Sequence, residues 1–176
     1  MKAFIGIYSK VLDKITDAAG FIAGVLLLLT ALSTFIEVVM RGVFNSPTEW
    51  AIEVAVYFVL IAGFLGMPVA YKAGKHINVD ILLLNRSAKT RCMLEFGTSI
   101  IGIIFCAIFF WEALNMSLTS LELNNISPST LRMPLWIPQM SLPIGMGLLT
   151  LQFVKTLLQD GVKLKEHAFA EGQVPR

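Results

Sequence analysis

Few residues in this chain are equipped for chemistry, and their spacing narrows what they can do. His76 and Asp80 stand four apart in "YKAGKHINVD". That spacing puts two side chains on one face of a helix, where they would suit a proton relay or half of a metal centre. Glu37 and Arg41 are also four apart, in the acid-before-base order favoured along one helix face. Glu53 and Glu112 stand in long apolar stretches. Cys92 and Cys106, on one expected helix, lie ~21 Å apart at 1.5 Å per residue, too far for a disulfide. They read as small apolar residues. A tightly held transition metal needs three or four convergent His, Cys or carboxylate ligands, and no such set occurs. A membrane cytochrome needs axial ligands inside the bilayer, whereas His76 and His167 both fall outside the apolar stretches. With no Gly-rich phosphate loop, nucleophile elbow or Cys–His pairing, the sequence predicts no catalytic residue, no metal and no cofactor.

The elements that carry these residues follow from composition. Hydrophobic residues make up 56% of the 176, and charged ones only 15%, against roughly 25% in a soluble domain. Residues 18–36, 54–71, 96–111 and 133–154 contain no Asp, Glu, Lys or Arg. Each window approaches the ~20 residues a helix needs to cross a bilayer core. The expected fold is an all-α integral membrane protein. A single four-helix domain spans 1–160, with transmembrane helices at about 18–42, 47–71, 88–121 and 134–158, and a cytoplasmic tail covers 161–176. The first window is too long for a signal-peptide core, and no small-x-small site ends it before Glu37, so it reads as a span. Twelve of the fourteen Lys and Arg fall on the side that holds both termini and the 72–92 loop; only Arg41 and Arg132 fall on the other. Cytoplasmic loops retain such an excess, so both termini are expected in the cytoplasm. The cations mark topology and anionic headgroups rather than nucleic acid.

Residues 1–16 repeat apolar side chains at helical spacing (Phe4, Tyr8, Val11 and Ile15), with Lys10, Asp13 and Lys14 opposite, which predicts an amphipathic helix along the membrane surface. Gly20 and Gly24 form a GxxxG pair that permits close helix approach. In "NSPTEW", Ser46 as N-cap, Pro47 at the first helical position and Glu49 make a capping box that starts the second span, with Trp50 at the interface. Pro68 predicts a kink or an end to that helix. Asn78 and Ser87 are cap candidates in the following loop. A third helix of 34 residues is expected to tilt, break or project. Pro143 predicts a kink in the fourth. Glu37, Glu53 and Glu112 all read as lying toward the outer side, leaving an apolar mid-membrane. Glu37 and Arg41 read first as a structural pair.

The stretch "RGVFNSPTEWAIEVAVYFVLIAGFLGMPVAYKAGKHINVDILL" resembles the small membrane subunit (DctQ type) of tripartite ATP-independent periplasmic, or TRAP, transporters. The resemblance rests on Arg41, Trp50 and Glu53, Gly63 and Gly66, then Gly74, His76, Val79 and Asp80, supported by the Pro- and Gly-containing "LPIGMGLL". Glu37 and Glu112 have no assigned place in that pattern. The resemblance implies a bacterial inner-membrane complex with a large permease of about twelve helices and a periplasmic binding protein. Such a complex imports organic acids of the C4-dicarboxylate or sialic acid class on a sodium gradient. It further implies that the ions and substrate belong to the large, elevator-like subunit, and that the small one braces it. The alternative is a self-sufficient small oligomeric carrier or channel using Glu37 or Glu112. In the scaffold reading, His76 hydrogen-bonds within its turn and fixes how the second helix leaves the membrane.

Overall fold

The computed structural model describes the backbone of residues 2–74 and 88–171, and the side chains of residues 5–74, 97–159 and 161. These residues form five helices: α1 (Lys2–Val43), α2 (Glu49–Gly74), α3 (Ala88–Glu122), the short α4 (Trp136–Gln139) and α5 (Ser141–Glu171). Among the described residues four segments are long and apolar enough to cross a membrane, the last of them joining α4 and the first part of α5. The only strand-like pairing among the described residues is an isolated bridge between Ile126 and Pro134.

One spacing governs how α1 packs. Leu12, Thr16, Ala19, Ala23, Leu26, Thr30, Ser33 and Glu37 alternate steps of four and three residues, and all are buried or half-buried. That 3.5-residue period keeps one stripe facing a neighbour that crosses at about 20°. Small side chains in it let backbones approach, which drives helix association in lipid. Ala51, Ala55 and Ala62 supply the same small surface on α2. Of the GxxxG pair, Gly20 meets the neighbour: a Cβ there would stand 3.0 Å from Val69, whereas Gly24 faces open space. The hydroxyls of Thr30 and Thr34 donate to the carbonyls of Leu26 and Thr30, one turn back. Polar groups are thus satisfied within the helix, as hydrocarbon demands.

The amphipathic stretch and the first span form one unbroken helix of 42 residues, ~63 Å long at 1.5 Å per residue. α2 continues six residues beyond Pro68, which is buried inside it. α3 runs without a break and ends in a Schellman turn. There the Asn125 amide bonds the Ser120 carbonyl at 3.0 Å and the Asn124 amide bonds Leu121 at 3.2 Å, with Asn124 at φ 48°. Asparagine tolerates this left-handed cap position. The fourth span is interrupted one turn before Pro143. The interruption falls at Met140, between α4 and α5 and three residues before Pro143. The missing N–H of Pro143 leaves the Gln139 carbonyl without its usual donor, while Met140 keeps helical dihedrals and its carbonyl accepts the Ile144 N–H at 3.3 Å.

The helices lie in a row. α1 packs on α2, α2 on α5, and α5 on α3. In α5, 39% of the most apolar stretch is buried, against 11% in α1. α5 and α2 therefore form the middle and α1 and α3 the edges, leaving two broad apolar faces. α1 and α2 run antiparallel, as do α3 and α5, while the central α2 and α5 run parallel, so the start of α1 and the later part of α5 share one end (the terminal end). The connections 44–48 and 123–135 share the other (the loop end).

Candidate functional site

At the loop end, carboxylates fasten connections to helices. Glu37 is 4% exposed at the last turns of α1. Its Oε2 accepts the Thr48 backbone N–H at 2.8 Å and also the Thr48 hydroxyl. The first amides of a helix have no partner within it, and here Glu37 supplies one just ahead of α2. This displaces two expectations. Glu37 makes its hydrogen bonds to Thr48, while exposed Arg41, one turn on, acts on it through charge alone. The capping box of Ser46, Pro47 and Glu49 does not form, because α2 begins at Glu49. Instead the Ser46 amide bonds the Met40 carbonyl at 3.1 Å, closing α1, and the Glu49 carboxylate accepts the Thr130 hydroxyl. Trp50 is half-exposed beside them. Glu53, one turn deeper, accepts the Tyr57 hydroxyl at 2.6 Å and the Ser129 hydroxyl. The 123–135 connection is therefore pinned to α2 by Glu49 and Glu53, and closed on itself by Ser127 N–H to Met133 O at 2.9 Å.

The terminal end holds a second clasp that sequence reasoning missed. Asp13 Oδ1 lies 2.5 Å from Lys155 Nζ, and Lys72 Nζ lies 2.5 Å from Asp17 and 3.8 Å from Asp13. Lys155 is 8% exposed, so its charge is out of water and depends on this partner. Next to it, Gln152 donates to Thr16 at 2.7 Å, and Tyr8 donates to the Leu151 carbonyl at 3.1 Å. Tyr71 bonds Thr156 at 3.2 Å. Three helices are locked together here. Instead of facing headgroups with Lys10 and Lys14, Asp13 turns toward α2 and α5, while Ile7, Val11 and Ile15 stay exposed. The only local signal was the i, i+4 pair of Asp13 and Asp17; their partners lie far along the chain.

Between the clasps the α3–α5 seam is uncharged. Ser99, Ile103, Cys106, Phe110, Ala113, Ser117 and Ser120 repeat the four–three spacing and are buried or half-buried. Ser117 donates to its own helix, to Ala113 O at 2.8 Å. Among the described glycines the tightest approach to another helix's backbone is at Gly145, where a Cβ would collide with the Phe64 carbonyl oxygen. Gly147 faces the Phe110 ring and Gly102 the Phe153 ring. The signature glycines Gly63 and Gly66 meet nothing within 4 Å.

These facing pairs fix depth. Phe110 is level with Gly147, and Gly145 with Phe64, so Glu112 stands level with Phe64, ~15 Å from the end of α2 at Gly74 and ~22 Å from its start. Glu112 therefore stands near the middle of the helix layer rather than at its loop end, because packing partners and not distance from the helix end set its level. It is exposed on α3, beside Ile108 and Trp111 at 62% exposure each. No described side chain bonds it. A charged carboxylate at mid-bilayer costs ~2.5–3.5 kcal/mol on insertion scales.

Gly74 closes α2 and is half-buried; His76, Val79, Asp80, Asn78 and Ser87 lie outside the described residues. Among the described residues no three His, Cys, Asp or Glu could hold a metal, and Cys106 is buried in the seam. The arrangement fastens helices at both ends and leaves Glu112 exposed between them.

Comparison with known proteins gives a consistent result. The family model described as "Tripartite ATP-independent periplasmic transporters, DctQ component" matches residues 30–161. The C4-dicarboxylate TRAP transporter small permease protein DctQ of Vibrio cholerae is 27% identical over 153 residues, covering 73% of this chain and 64% of its own length. The isethionate TRAP transporter permease protein DctMQ of Oleidesulfovibrio alaskensis is 27% identical over 111 residues, 63% of this chain and 17% of its own length. A putative TRAP transporter small permease protein of Haemophilus influenzae is 27% identical over 106 residues, 58% of this chain and 63% of its own. The chain thus spans under two thirds of each of these relatives.

Proposed function

Since the chain belongs to the family of DctQ components of tripartite ATP-independent periplasmic transporters, we propose that it is the small, non-catalytic membrane subunit of such a transporter. It braces a large permease subunit in the bacterial inner membrane, and a periplasmic binding protein delivers the substrate. Both termini face the cytoplasm, in keeping with the Lys and Arg excess at that end. The observation that carries the reading is the division of polar groups. Among the described residues every buried charge serves a clasp at one end of the row, and the seam between the clasps is uncharged. Transport paths leave ionisable groups facing an internal cavity, and this chain instead turns its mid-depth carboxylate outward. The match to only 17% of a much longer permease chain supports a small unit working alongside a larger one.

The substrate is an organic anion driven by a sodium gradient. Relatives named for C4-dicarboxylate and isethionate support that class, and the selecting residues belong to the partner chains. The Gly63, Gly66, Gly74, His76 and Asp80 signature and exposed Arg41 and Trp50 serve assembly. A tagged copy expressed with the large permease tests this. The permease should stay with the tag after detergent extraction. Purification of the chain alone, from cells whose substrate uptake is unchanged by its deletion, would overturn the reading.

A further inference from the structure

The 3.5-residue period of the α3–α5 seam recurs on the far side of α3. Ile101, Phe105, Ile108, Glu112, Asn115 and Thr119 follow one another at alternating steps of four and three, and all six are exposed. This is the spacing at which one helix meets another. The first three are large and apolar, at 69, 62 and 62% exposure. From Glu112 onward the stripe is polar. Hydrocarbon offers nothing to a carboxylate, an amide and a hydroxyl in succession, whereas a facing helix offers each a hydrogen-bond partner.

Depth narrows the occupant. Glu112 is level with Phe64 and Gly145, within a few Å of the middle of α2 and so ~10 Å or more from either headgroup layer if a ~30 Å core is centred on that helix. The compensating charge therefore has to come from protein. A second copy of this chain in the same orientation has none to give, because residues 18–36, 54–71 and 133–154 contain no Lys or Arg. We propose that the Glu112 stripe of α3 is the docking face for a transmembrane helix of the large permease, which sets a Lys or Arg side chain against Glu112 at mid-bilayer. This rests on the small-subunit reading above. Arginine suits the position best, since its planar fork can bond both carboxylate oxygens. Asn115 and Thr119, one and two turns farther toward the loop end, meet polar groups of the same helix.

The test uses membranes holding the intact transporter. A photo-reactive p-benzoylphenylalanine replacing Phe105 or Ile108 should cross-link to the large permease, and one replacing Ile100 or Trp111, on the other exposed side of α3, should not. Glu112→Lys should lower recovery of the permease with the tagged chain by about tenfold or more, and Glu112→Gln by less, while Trp111→Leu leaves it unchanged. The docking face is wrong, with the subunit reading intact, under a specific pattern. The wild-type chain retains the permease, positions 105 and 108 capture only lipid or a second copy of the chain, and Glu112→Lys is recovered like wild type. A wild-type chain that retains no permease at all would instead remove the subunit reading on which the proposal stands.

Discussion

Replacing Gly145 by alanine sets a methyl group against the main chain of Phe64. The added carbon would overlap the carbonyl oxygen, stand 2.7 Å from the carbonyl carbon and 3.0 Å from Cβ. Carbon atoms pack at roughly 3.5–4.0 Å, so α2 and α5 must part by ~1 Å, because a backbone carbonyl cannot rotate away as a side chain can. A gap of that size forfeits about a quarter to a half of each contact's attraction along the pair. Overpacking of this kind costs ~1–3 kcal/mol. The better helix propensity of alanine returns up to ~1 kcal/mol, leaving a net loss of up to about 2. Gly63→Ala and Gly66→Ala meet no atom within 4 Å, so they gain only the propensity term, up to ~1 kcal/mol of stabilisation. Unfolding the purified chain in mixed micelles of rising SDS fraction, followed by far-UV circular dichroism, ranks them. The expected order is Gly63→Ala at or above wild type, with Gly145→Ala clearly below. Equal stability of Gly145→Ala and Gly63→Ala would show that α2 and α5 do not touch at this point.

The terminal clasp predicts a coupled pair. Lys155→Met strands Asp13 and should cost ~1–3 kcal/mol, less than a fully buried pair because Asp13 is partly exposed and keeps Lys72 at 3.8 Å. Adding Asp13→Asn should restore part of that loss in a double-mutant cycle of micellar unfolding. At the loop end, Glu53→Gln should loosen the 123–135 connection, read as faster hydrogen exchange of the Ser127 and Leu135 amides with the α3–α5 seam unaffected. Within that seam, Ser117→Ala should change little, since the hydroxyl serves its own helix. Ser117→Leu should cost ~1–3 kcal/mol in the same micellar unfolding by forcing α3 off α5.

Four spans are legible in the sequence because a bilayer imposes a length and a ban on charge that composition records directly. The seams are harder to see. In lipid both the buried and the outward faces are apolar, so hydrophobic periodicity cannot separate them. What separates them is size: Ala19, Ala23, Ala51, Ala55, Ala113, Ser117 and Ser120 line the contacts, while large side chains such as Phe21, Phe35, Ile101 and Phe105 face out. The same ambiguity hid which glycines matter. Gly63 and Gly66 carry the family signature yet face open space, and Gly145 takes the close approach because its rotational phase points it at α2. Local spacing also misled at Glu37. The i, i+4 geometry pointed to Arg41, but the Thr48 amide, left without a helical partner at the start of α2, offers a directed bond. Asp13 could not be placed because Lys72 and Lys155 come from helices far along the chain. Glu112 was set too shallow because helix ends project unequally, and only facing residues report depth.

Substrate uptake into proteoliposomes tests the central claim most directly, with this chain alone, the large permease alone, and the two together, each supplied with the binding protein and a sodium gradient. A bracing subunit predicts uptake only when both chains are present, and none from this chain by itself. Uptake by this chain alone, abolished by Glu112→Gln, would contradict the account and make Glu112 an ion site of a self-sufficient carrier.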